Sequence, residues 1–66
     1  MKITLNGDAH DIPEPVTVAA LLRTLDIDPR RVAVEVNLNV VKKPAYETLV
    51  IGEGDEVEVV NFVGGG

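Results

Sequence analysis

The sequence predicts an α+β fold: one mixed sheet whose apolar face is covered by a single helix. Three observations carry this. Residues Arg31 to Asn37 ("RVAVEVN") and Glu56 to Val63 ("EVEVVNFV") alternate their side chains at strand period. An Asn-Gly pair at positions 6 and 7 separates two short runs, the preferred sequence of a two-residue hairpin turn. Val18, Leu21, Leu22 and Leu25 fall at i, i+3, i+4 and i+7, which places them on one face of a helix.

The elements follow in order. Ile3 and Leu5 alternate with Lys2 and Thr4 in the first strand, and Ala9 to Ile12 form the return strand with Ile12 inward. Pro13 and Pro15 end it, because proline cannot donate to a ladder. "TVAALLRTLDID" (17–28) is the helix, with Thr17 as N-cap and Pro29 blocking continuation. A helix this short needs a sheet to bury its stripe against. In the next strand Val32, Val34 and Val36 face one way and Ala33 and Glu35 the other. Asn37-Leu38-Asn39 is a turn, Val40 and Val41 continue, and "KKP" interrupts. Ala45 to Ile51 reads as a short helical turn or irregular segment, with Leu49 to Ile51 as an alternative strand. Gly52 to Asp55 is a turn. The last strand puts Val57, Val59, Asn61 and Val63 on one face and Glu56, Glu58, Val60 and Phe62 on the other.

Composition removes most chemistries. A chain of 66 residues holds one domain. It has no cysteine and one histidine, so disulfides and Cys/His zinc sites are excluded and stability must come from packing. The 45% hydrophobic content suffices for that. Serine is also absent, which excludes serine and cysteine nucleophiles. His10 reads as a surface or edge residue. The carboxylates of Glu53, Asp55, Glu56 and Glu58 read as a solvated turn and strand face and fail the calcium-loop spacing. No metal or bound cofactor is expected, nor is catalysis within the chain. A formal net charge of −5 without a basic stripe argues against nucleic acid. No apolar run approaches a membrane span, and "MKITLNGD" does not read as a signal peptide, so a cytoplasmic location is expected.

What remains is "VGGG", Val63 to Gly66. Glycines can be drawn extended into a narrow slot and adopt backbone angles closed to other residues. A carboxylate on Gly66 becomes an electrophile once adenylated by ATP, and glycine hinders attack least. The bland alternative is a frayed end. Val60 and Phe62 likewise have two readings: a docking surface beside the tail, or side chains packed under the Lys42 to Ile51 segment.

At these residues the chain resembles the ThiS family of ubiquitin-like sulfur carriers of thiamin biosynthesis. The resemblance rests on the Met1 to Leu5 strand, "VTVAALLRTL", "VAVEVNLNVV", "GEGDEVEVVNFV" and the terminal Gly-Gly, with "GDEVEVV" followed by "FVGGG" the most specific part. It implies the β-grasp fold, with the last strand central and parallel to the first, over residues 1–66, and with 63–66 as a flexible C-terminal tail. It implies that a ThiF-like adenylyltransferase, consuming ATP, adenylates Gly66. A sulfur donor such as a cysteine desulfurase then yields a thiocarboxylate there, and the thiazole synthase ThiG takes the sulfur. Val63, Gly64 and Gly65 would form the partner-binding arm, and Val60 and Phe62 the docking residues. Two departures stand out: many relatives have glycine where this chain has Leu38, and a proline-arginine and then a tryptophan where it has Lys42, Lys43, Pro44 and Tyr46. Sister carriers for molybdopterin, cysteine or homocysteine synthesis share the fold and chemistry. So does a ubiquitin-like protein modifier, and a plain interaction module is the reading without tail chemistry.

Overall fold

A computed structural model of the chain describes residues 1–62. Strands β1 (Lys2–Leu5) and β2 (Asp8–Asp11) pair antiparallel. They reverse at Asn6 and Gly7, whose φ values are +50° and +86°. Two successive positive φ angles define the turn whose twist matches that of the flanking strands. Ile12 turns into the core just beyond β2.

Helix α1 (Val18–Thr24) is shorter than its apolar pattern suggests. Thr17 caps it as expected, its hydroxyl accepting from the Ala20 N–H at 3.1 Å. Val18, Leu21 and Leu22 are buried, and Leu25 packs against them from the C-cap. Pro29 does not stop the helix. The chain has already left it at Asp26, where φ is +59°. The Ile27 N–H reaches back to the Leu22 carbonyl (2.9 Å) and the Asp26 N–H to that of Arg23 (3.1 Å). These two bonds form a Schellman motif with aspartate in the place usually taken by glycine. Pro29 instead opens a 3₁₀ turn, Pro29–Arg31.

Strand β4 (Val32–Val36) shows the expected alternation, with Val32, Val34 and Val36 buried. It reverses through Asn37 (φ +52°) and Leu38 (φ +70°) into β5 (Asn39–Val41). A second 3₁₀ turn, Lys43–Ala45, brings Tyr46 into the core, and burial pushes its phenol pKa up. Helical turn and strand both occur after it. The chain turns past Tyr46 and then enters β6 (Val50–Ile51), which pairs antiparallel with β3 (Val16–Thr17). This second, two-stranded sheet lies at the entrance of α1.

The last strand, β7 (Glu56–Asn61), completes the main sheet. The strand order is β2-β1-β7-β4-β5, with β7 parallel to β1 and antiparallel to β4. Val57 of β7 and Val32 and Val34 of β4 lie in one fully buried layer with Val18, Leu21 and Leu22 of α1. β7 is central because it pairs on both edges. It is the longest of the described strands, long enough to pair with β1 at its start and with β4 from Val57 to Asn61.

Candidate functional site

The site is built on β7, the last described strand. Three sets of bonds hold this strand along its length. At its start, the Asn37 carboxamide accepts from the Glu56 N–H (3.0 Å) and donates to the Asp55 carboxylate (3.1 Å), whose other oxygen accepts from the Gly52 N–H (2.9 Å). In the middle, where β1 has already turned away, the Asn6 side chain takes over its hydrogen bonding. Asn6 Oδ1 accepts from the Val59 N–H at 2.8 Å, and Nδ2 donates to the Val59 carbonyl at 3.3 Å. At the end, the Phe62 N–H donates to the Arg31 carbonyl at 2.9 Å.

One face of this strand is uncovered. Val60 and Phe62 are 59% and 52% exposed, and Val40 on β5 is 70% exposed. Val60 lies opposite Ala33, and Glu58 lies opposite Glu35, which is opposite Val40. The helix is on the other face, with Val57 and Val59. The Lys42 to Ile51 segment buries Tyr46 and Ile51 in the core and leaves Val60 and about half of Phe62 open.

Phe62 is nonetheless tied to the fold. The Lys43 ammonium lies 5.5 Å from the Phe62 ring centre and 5.6 Å from that of Tyr46. It also donates to the Val32 carbonyl at 3.2 Å. Both ring distances are within cation–π range, so the lysine links a core aromatic to a surface one at the strand's exit. Val63, Gly64, Gly65 and Gly66, the tail read from the sequence as 63–66, lie outside the described residues.

Other chemistry is sparse. His10 is half-buried on edge strand β2, opposite Ile3. It borders a groove of about 350 Å³ with Ile12, Glu14 and Leu25. A smaller hollow, about 160 Å³, lies beside Leu38 and Glu56 at the far end of β7 from Phe62. Among the described residues no group of three or more His, Asp or Glu could hold a metal, and no helix is long and apolar enough to cross a membrane.

Sequence reasoning missed Asn6 and Lys43. Asn6 was legible only as a turn residue, and its contact to Val59 spans 53 positions. Lys43 was legible only as half of a basic pair.

A five-stranded mixed sheet with a central last strand parallel to the first, and one helix across it, is the β-grasp fold. Among the described residues its candidate site is the exit of β7, with Val60 and Phe62 on the open side. The ThiS family model matches residues 3–66, and the chain belongs to the ThiS family. The crystal structure of the thiamine biosynthesis protein ThiS from Geobacter metallireducens superimposes with a TM-score of 0.88 at 33% identity, covering all of both chains. A thiazole synthase of Paramagnetospirillum magneticum is 44% identical over all 66 residues, which make up 20% of that protein. The chain thus spans about a fifth of the length of the thiazole synthases it matches. An uncharacterized protein, ycf40, of Porphyra purpurea is 32% identical over all of this chain and 93% of its own length.

Proposed function

We propose that the protein is the sulfur carrier for thiazole formation in thiamin biosynthesis. A ThiF-like adenylyltransferase binds Val60 and Phe62 and takes in the arm of Val63, Gly64 and Gly65. The Gly66 carboxylate attacks the α-phosphorus of ATP, and pyrophosphate leaves. The terminal sulfur of a persulfide on a cysteine desulfurase or similar donor then attacks the acyl carbon. The C–S bond forms, the bond to AMP breaks, and AMP departs with the electron pair. A thiol afterwards reduces the S–S bond of the acyl disulfide, leaving the thiocarboxylate and a disulfide on the donor side. The thiocarboxylate delivers its sulfur at thiazole synthase ThiG; the C–S bond breaks as an oxygen from the acceptor substrate or water bonds to the acyl carbon, and Gly66 returns to a carboxylate.

The observation that carries this reading is the 44% identity to a segment of a thiazole synthase over the entire chain. A carrier and the enzyme it serves gain effective concentration by covalent linkage. The fold supports the reading in a second way: side-chain and backbone bonds from Asn37, Asn6 and Arg31 fix the strand that leads to the arm.

The test is intact-mass spectrometry after incubation with a ThiF-like enzyme, ATP and a sulfur donor. The expected product is heavier by the difference between sulfur and oxygen, with the change on Gly66. Deleting Gly66 should abolish the gain and leave the melting temperature unchanged. A truncated chain that still gains sulfur has another acceptor.

A further inference from the structure

Four of the six lysine and arginine residues, Arg30, Arg31, Lys42 and Lys43, meet at one end of the sheet. Arg30 and Arg31 lie in the 3₁₀ turn that leads into β4, and Lys42 and Lys43 begin the turn after β5. All flank the exit of β7. The Arg31 carbonyl accepts the Phe62 N–H, and the Lys43 ammonium is 5.5 Å from the Phe62 ring. Lys42 is one step beyond the last β4–β5 pair, Val34 with Val41, which sets it opposite Ala33, the partner of Val60.

These charges are largely uncompensated. Among the described residues only Asp28 pairs with any of them. It accepts from Arg30 Nε at 3.1 Å and from Arg30 Nη2 at 2.9 Å, and lies 3.9 Å from Arg31. Lys43 is engaged by Val32, Tyr46 and Phe62. Arg31, whose side chain is 75% exposed, and Lys42, also exposed, have no stronger tie to the fold. A chain of net charge −5 therefore gathers an excess of positive charge at the root of its arm, while Glu35, Glu56 and Glu58 mark the other end of the open face. Crowding like charges works against the compact state, and nothing within the fold needs the charges on Arg31 and Lys42.

We propose that this basic collar docks on an acidic lip: Asp and Glu side chains around the mouth of the cleft that admits the arm. The inference rests on the functional reading above and adds the chemistry of the partner's surface. The nucleotide's phosphates are not the occupant. Activation takes place at Gly66, four residues past Phe62, and four extended residues span about 14 Å. An arm drawn straight into a slot leaves the collar at the entrance, against protein. Charges placed on the rim of an interface act on encounter rate and salt dependence more than on the chemical step.

The test compares two double variants that change net charge equally. Arg31→Gln with Lys42→Gln removes collar charges. Lys2→Gln with Arg23→Gln removes exposed cations away from the β7 exit, which pair with Asp11 and Glu47. The assay is ATP–pyrophosphate exchange by the ThiF-like adenylyltransferase of the same genome, at low and at physiological ionic strength. The collar double should raise KM about three- to tenfold at low ionic strength with kcat within about twofold, and it should flatten the salt dependence. The control double should track the wild type. Lys42→Gln alone, which touches no bond of the fold, should show the same direction. Equal KM and equal salt slope in the two doubles overturn the collar. A wild-type chain that supports no exchange overturns the functional reading and the collar together.

Discussion

Replacing Asn6 by glycine isolates the carboxamide that splints β7. Glycine keeps the left-handed turn, because φ of +50° suits it at least as well as asparagine. What is lost is the pair of bonds to Val59, at 2.8 and 3.3 Å. Intramolecular hydrogen bonds contribute about 0.5–1.5 kcal/mol each net of water, and the exposed, longer one belongs at the low end. Their joint loss is thus about 1–2 kcal/mol. Relief of the positive φ returns a few tenths, leaving a destabilisation of about 1 kcal/mol. For a domain of this size that lowers Tm by about 4–8 °C. Thermal unfolding followed by circular dichroism gives the shift, and amide exchange by NMR gives its location. The Val59 N–H should lose protection selectively while that of Val57 keeps it. A variant as stable as the wild type, with Val59 still protected, would show that β7 does not depend on this side chain.

Other consequences follow from single residues. Leu38 is 80% exposed at φ +70°, so Leu38→Gly should give up little packing and raise stability by about 1 kcal/mol, read as a higher Tm; a lower Tm would mean the leucine packs in solution. Asp26→Gly at the Schellman position should stabilise by about the same amount, with Asp26→Asn in between, since asparagine removes only the anion at the helix C-terminus. Asp28, hydrogen-bonded by Arg30, has its pKa lowered from 3.8 to about 2. Its folded value is the lower one, so its contribution is present above about pH 4 and is lost as pH falls toward 2. Asp28→Asn should therefore lower Tm at neutral pH, with the difference from wild type closing at the acid end of a pH series. Phe62→Ala should raise the KM of the adenylyltransferase more than it lowers Tm, because about half of its surface is exposed; an unchanged KM removes Phe62 from the interface.

Local signals carried much of the fold. The Asn6-Gly7 turn, the Thr17 cap and the inward valines at 32, 34 and 36 each follow from a rule that operates within a few residues, and each is found in place. The early end of α1 was hidden because its reversal falls on Asp26, and an aspartate does not mark a left-handed cap as a glycine would. Strand β3 was hidden for another reason, and β6 was legible only as the strand alternative at Leu49 to Ile51. Two residues are too few to show a period, and Val16–Thr17 sits at the start of a helical stripe that swallows it. The site divides the same way. Val60 and Phe62 could be placed together by alternation, but whether they were covered depended on where the Lys42 to Ile51 segment goes, a question of tertiary packing. The Lys43 link between Tyr46 and Phe62 and the gathering of two separate basic pairs around one strand exit depend on that same packing.

The central claim is that the folded part presents Gly66 as a transient holder of sulfur. A single-turnover transfer tests it most directly. The chain is loaded at Gly66 with isotopically heavy sulfur, mixed with thiazole synthase and its other substrates, and followed by mass spectrometry of protein and product together. The account predicts that the heavy isotope leaves the chain, appears in the thiazole, and leaves Gly66 as a carboxylate. Heavy sulfur that stays on the chain, or a Gly66 carbonyl joined to a lysine of another protein, contradicts it.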